Sequence, residues 1–142
     1  MQMYELIYYS IASLSLNGND ISNILEVSQE NNSKNNITGC LLYHNDAFLQ
    51  ILEGESEVIE SLYLKIERDK RHYSVRRVYS DNKEKRAFTN WSMAFFDLDK
   101  DNAVDKGKLI LRENFVAISN QIEQSTVASQ LFWHISNQLI NE

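Results

Sequence analysis

Tyr8 and Gln50 each sit in a run that reads as a β-strand, Leu6-Ile-Tyr8-Tyr-Ser10 and Phe48-Leu-Gln50-Ile-Leu52. A glutamine among Phe48, Leu49, Ile51 and Leu52 is costly to bury, because its amide carries an oxygen acceptor and two N–H donors that an apolar setting leaves without partners. Something must satisfy it. A tyrosine phenol is neutral at pH 7, its reference pKa being about 10, so it can give an electron and a proton to a photoexcited oxidant. The glutamine oxygen can accept from that hydroxyl while its NH2 group donates to a carbonyl or a ring nitrogen. Reversing the amide, or converting it to its tautomer, rewrites the pattern without moving the backbone. Read singly, the same residues are a core tyrosine and an edge-strand glutamine.

The elements that must position them follow from periodicity. Residues 3 to 10 read as a strand, and the turn Asn17-Gly-Asn-Asp20 leads into a helix capped by Asp20 with Ile21, Ile24, Leu25 and Ser28 on one face. Cys40 to Tyr43 and Ala47 to Glu53 flank His44-Asn-Asp46 as a hairpin that Gly54 ends. Val58, Ile59, Leu62, Tyr63 and Ile66 fall at helical spacing, and Lys65, Arg68, Lys70, Arg71 and His72 crowd that helix's C-terminal end, where cations oppose the macrodipole. Val75 to Ser80 and Trp91 to Phe96 read as two more strands.

This order predicts a ferredoxin-like α+β sandwich, βαββαββ, with one extra strand. Alternation puts Phe48, Gln50 and Leu52 on one sheet face and Leu49 and Ile51 on the other, so both faces need a cover. The two early helices can cover one. Two additional C-terminal helices, with Leu109, Ile110, Leu111 and Phe115 and then Val127, Leu131, Ile135 and Leu139, are expected on the other. The polar stretch Asp97 to Asp105 reads as a linker, dividing residues 1–97 from an extension over 98–142.

Composition narrows the function. A chain of 142 residues is one domain's worth, and burying roughly two-thirds of its unfolded surface gives it a real core. A net charge of −6 argues against a sequence-independent grip on nucleic acid or an anionic membrane. A single cysteine, Cys40, in an apolar strand reads as an inert core thiol, and no apolar leader is apparent, so the cytoplasm is the expected compartment. His44, His72 and His134 lack metal-ligand spacing, and Asp97, Asp99 and Asp101 lack the central glycine and closing glutamate of a calcium loop, so no metal is expected.

Asn31-Asn32, Ile37-Thr38-Gly39, Leu52-Glu53-Gly54, Asp69-Lys-Arg-His72 and Trp91-Ser-Met93, taken in order with Tyr8 and Gln50, give the chain a resemblance to the BLUF family of blue-light sensors. The resemblance implies noncovalent FAD, and a light-driven transfer of an electron and a proton from Tyr8. It also implies altered hydrogen bonds at Gln50 in a red-shifted signalling state, with no net turnover. It assigns Asn31 and Asn32 to the flavin's polar edge, Ile24, Phe48 and Ile66 to apolar walls, and Lys65, Asp69 and His72 to the ribityl and phosphate end. Trp91 and Met93 become the relay to the tail, whose output goes to a separate signalling protein; Trp133 and Ile140 are expected to meet that partner or a second copy of the chain. Many relatives carry arginine where this chain has Lys65, a point charge in place of a planar fork, which opens the choice among FAD, FMN and riboflavin. Arg68, Lys70 and Arg71 read as a solvated helix end. The alternatives are a light-insensitive flavin-binding or regulatory module and an acylphosphatase-like enzyme; the second needs a phosphate-cradling loop that Tyr9-Ser-Ile-Ala-Ser-Leu14 does not contain.

Overall fold

The run from Ala47 to Glu55 is apolar at both strand parities, so a strand built from it must be covered on both sides. The computed structural model describes residues 3–14, 18–44, 46–88, 94–97 and 134. Its elements in chain order are β1 (Met3–Ala12), α1 (Gly18–Lys34), β2 (Thr38–His44), β3 (Ala47–Glu55), α2 (Ser56–Arg68), β4 (His72–Lys83) and β5 (Ala94–Asp97). They form one sheet in the order β4-β1-β3-β2-β5. Among the first four strands each is antiparallel to its neighbours, as the ferredoxin-like expectation requires, and β5, whose place the sequence left open, lies parallel to β2.

Register ties the sheet to its chemistry. Tyr8 stands opposite Gln50 and also opposite Arg77; Gln50 stands opposite Leu41, and Leu41 opposite Phe95. One transverse row, Arg77-Tyr8-Gln50-Leu41-Phe95, therefore crosses all five strands. Gln50 lies on a central strand, where an apolar run is expected and an amide is not. On β4 the register slips on either side of the Tyr8–Tyr9 pair, the marks of two bulges, and Ser74 within the second has a φ of 51°.

Leu6, Tyr8, Leu41, Phe48 and Leu52 point to the same side and pack with Ile59 and Tyr63 of α2. At roughly 1.5–3 kcal/mol for each large apolar side chain removed from water, this layer is what holds the helices to the sheet. Ile7, Leu42, Leu49 and Ile51, on the other parity, are fully buried too, as alternation predicted. The C-terminal helices expected over that face lie outside the described residues, as do Trp91, Met93, Trp133 and Ile140.

Several boundaries differ from the sequence reading. Asp20 lies inside the first turn of α1, which begins at Gly18, so its carboxylate complements the helix dipole and does not form the cap. Gly54 does not stop β3, which runs to Glu55 and passes directly into α2. The second helix ends at Arg68 with Asp69 as its C-cap, so His72 opens β4 and is no part of a cationic helix end.

Candidate functional site

The cleft between the sheet and the facing sides of α1 and α2 has a volume of about 220 Å³. Tyr8, Phe48, Gln50 and Leu41 form its floor from β1, β3 and β2. Spacing supplies the walls. Ile24, Val27, Ser28, Asn31 and Asn32 recur at helical intervals on α1, as Leu62, Lys65 and Ile66 do on α2, with Asp69, Arg71 and His72 closing the far end. Every cofactor-binding residue expected from the sequence is among these: Tyr8, Ile24, Asn31, Asn32, Phe48, Gln50, Lys65, Ile66, Asp69 and His72.

The centre of the floor is a short hydrogen bond. Tyr8 Oη donates to Gln50 Oε1 over 2.5 Å, with both residues buried. The tyrosine ring lies 6.0 Å from that of Tyr63 and meets the His72 imidazole nearly edge-on at 6.3 Å. Burial above all, and then the negative charge of Asp69 and the Tyr63 phenol, push the Tyr8 pKa well above the ordinary tyrosine value. Because the folded value exceeds the unfolded one of about 10, the associated stabilisation is complete below pH ~10 and falls away above it. Alkaline titration of tyrosinate absorbance should therefore show one tyrosine, missing in Tyr8→Phe, that ionises only as the protein unfolds.

His72 is held by both ring nitrogens. Its Nε2 is 2.5 Å from the carbonyl oxygen of Ile66, which can only accept, so Nε2 carries a proton; Nδ1 is 2.8 Å from Ser10 Oγ. In the neutral ring the serine hydroxyl then donates to Nδ1. This fixes the tautomer and the ring's orientation at the end of the cleft.

Arg71, which the sequence reading left to solvent, also lines the cleft and is locked onto Asp69. Its Nε lies 2.9 Å from Oδ1 and its Nη2 2.5 Å from Oδ2, and its backbone N–H donates to Oδ1 over 3.0 Å. These hydrogen bonds hold the Asp69 carboxyl below the usual range. The signal was available in the i, i+2 spacing of acid and base across a turn. Val27, Ser28 and Leu62 were legible from helical spacing and Leu41 from its register opposite Gln50, though none had been singled out as a site residue.

Asparagine at the end of α1 has an ordinary explanation as a C-cap, and the structure separates the two roles. Asn36, with a φ of 56°, takes the left-handed capping conformation. Asn31 and Asn32 lie in the last helical turn, Asn32 buried and Asn31 exposed, and both border the cleft.

Apolar walls from Ile24, Phe48, Leu62 and Ile66, the buried amides of Asn32 and Gln50, and Lys65 near the exterior suit a flat heteroaromatic ring with one polar edge and an anionic tail. Fold and cleft together define a ferredoxin-like α+β domain that holds such a molecule between its sheet and helices. The chain belongs to the BLUF family, sensors of blue light using FAD, whose model matches residues 3–94. It is accordingly a blue-light-sensing flavin module.

The photoactivated adenylate cyclase subunit alpha of Euglena gracilis is 41% identical over 78 residues, 55% of this chain and 8% of that protein. The blue light- and temperature-regulated antirepressor BluF of Escherichia coli (strain K12) is 32% identical over 78 residues, 55% of this chain and 19% of that protein. The chain thus spans less than a fifth of either relative's length. The photo-activated state of BlsA superposes with a TM-score of 0.68 at 28% identity, over 97% of this chain and 94% of that one. Among the described residues, no helix is long and apolar enough to cross a membrane.

Proposed function

We propose that Tyr8 is the electron and proton donor of the photochemistry, and that Gln50 is the group whose hydrogen bonds distinguish dark from lit protein. The resulting change alters binding to a separate signalling protein. The observation that carries this reading is the 2.5 Å bond from Tyr8 Oη to Gln50 Oε1 on the cleft floor. Bound FAD supplies a blue-absorbing ring that accepts an electron when excited.

The remaining steps belong to the protein. Burial keeps Tyr8 protonated in the dark, and its hydroxyl proton points at a single amide oxygen. In the reversed amide the NH2 group would face the phenol and the bond would run the other way, so the tyrosine oxygen would accept. A mismatched buried pair costs about 1–3 kcal/mol, enough to separate two arrangements into distinct states. Asn31 and Asn32 orient the ring's polar edge; Ile24, Phe48 and Ile66 exclude water from its faces; Lys65, Asp69 and His72 hold the ribityl and phosphate end. Each cycle returns every group to its starting state, so the module signals and turns nothing over. Relatives named as a photoactivated cyclase and a light-regulated antirepressor support an output that is passed on to an effector. In this reading the output passes through Trp91 and Met93 to residues 98–142.

The test is the visible absorption of purified protein before and after blue illumination, with acid release and chromatography to separate FAD, FMN and riboflavin. Yellow protein with a reversible red shift is the expected result. Protein that takes up flavin but shows no shift would be the light-insensitive module instead, and protein that takes up none would overturn both.

A further inference from the structure

Glu53 belongs to the Leu52-Glu53-Gly54 motif, yet it takes no part in the cleft. Strand parity turns it to the opposite face of the sheet from Gln50, three residues earlier on β3, and it is fully buried there. Four donors converge on its carboxylate. Thr38 Oγ1 reaches Oε1 at 2.9 Å and the backbone N–H of Phe88 reaches it at 2.8 Å; the N–H of Ala87 reaches Oε2 at 2.6 Å, and Lys83 Nζ bonds Oε2 as well. Lys83 Nζ also lies 2.9 Å from the buried Glu5. Arg86 locks the arrangement from outside, with Nη1 donating to Thr38 Oγ1 (2.8 Å) and to the Glu53 carbonyl (3.1 Å), and Nη2 to the Asn36 carbonyl (2.5 Å).

Residues 84–88 follow β4 as irregular chain outside the ladder, and the amides of Ala87 and Phe88 donate to Glu53 instead of to a neighbouring strand. Two elements of the cleft converge on this point. One is β3, a stiff strand on which Gln50 and Glu53 are about 10 Å apart. The other is the turn after α1, where Asn36 and Thr38 bond Arg86 while the Asn32 carbonyl receives the Ile37 N–H at 2.8 Å. The buried amides of the cleft, Gln50 and Asn32, thus sit on elements tied to the same segment.

We infer that Glu53 is a positioning residue that couples the flavin cleft to residues 83–88, so that this segment, on the far side of the sheet, reports the state of Gln50. The inference rests on the photoreceptor reading above. A rearrangement at Gln50 displaces β3, and the bonds from Ala87 and Phe88 to Glu53 weaken. Hydrogen bonds to charged groups are worth about 1.5–3 kcal/mol, so losing one changes local opening by about tenfold or more.

The test uses flavin-loaded full-length protein and hydrogen exchange resolved at the Ala87 and Phe88 amides, in the dark and under steady blue light. In the natural sequence both should exchange about tenfold or more faster in light. Glu53→Gln preserves shape but sets an NH2 group where Lys83 or Ala87 also donates; its dark exchange should rise to the lit level, with flavin content and red shift retained. Glu53→Asp, which restores the charge, should recover a dark–light difference that Gln does not. Should Glu53→Gln fail to fold, Arg86→Gln removes only the outer bonds and should shrink the difference. A full red shift with equal Ala87 and Phe88 exchange in dark and light overturns the inference alone. A light-silent protein overturns the photoreceptor reading and this inference with it.

Discussion

Tyr8→Phe will take up flavin as the natural protein does and show no light-induced red shift. Phenylalanine keeps the ring that packs against Tyr63 and His72 and keeps the cleft floor closed. It removes the hydroxyl that donates to Gln50 and that is the proposed proton source. The lost bond costs stability of about 1–3 kcal/mol, well short of unfolding a domain of this size, while the loss of photochemistry is complete because a phenyl ring has no proton to give. Gln50→Ala should also lose the red-shifted state, for a different reason. The donor remains and the switchable partner is gone. A light-minus-dark spectrum checks both, and an unchanged spectrum in Tyr8→Phe would remove Tyr8 from its proposed role.

Gly39→Ala should be strongly destabilising. A Cβ built at Gly39 would stand 1.9 Å from the backbone oxygen of Ile51, at the start of the β2–β3 ladder, and the backbone there has a φ of +156°. No side-chain rotation relieves a clash with main chain, so the two strands would have to part. Since overpacking that a core can absorb already costs about 1–3 kcal/mol, we expect a loss at or above the upper end of that range, a large share of a domain's total stability. Chemical denaturation of Gly39→Ala beside the natural protein measures it, and a midpoint within error of the natural one would contradict the geometry.

Strand parity and helical spacing are local properties of the chain, and they carried the shared side of Phe48, Gln50 and Leu52, the need to cover both faces of β3, and the fold order; that Tyr8 faces the same side is set by the β1–β3 register. The resemblance to a known family added the polar residues, and the structure brings them all to one cleft. What local pattern could not supply was long-range partnership. Glu53 was legible as part of a motif but without a task, because Lys83, Ala87 and Phe88 lie 30, 34 and 35 residues away along the chain. Arg71 was read as a solvated cation because a helix end accounts for it adequately until the chain is seen to turn back and set it against Asp69. The length of β4 was underestimated for a related reason. Its bulges interrupt the alternation that marks a strand, leaving only Val75 to Ser80 regular enough to recognise.

The β2–β3 ladder runs to the pair His44 and Ala47, and Asp46 beside it adopts a left-handed φ of 60°. This tight corner sets the phase between two halves of the sheet. On one side are β1 and β3, which hold Tyr8 and Gln50; on the other are β2 and β5, which present Leu41 and Phe95 in the same row. One residue added to the corner would slide the second half past the first by a single notch. Cys40 or Leu42 would then stand opposite Gln50 in place of Leu41, with every β2 side chain turned to the other face, while Tyr8 and Gln50 stayed paired. The half that carries Tyr8 and Gln50 and the half that carries β5 are thus geared together by this corner, and a change in its length would alter the β2 side of the cleft while leaving the Tyr8–Gln50 pair intact.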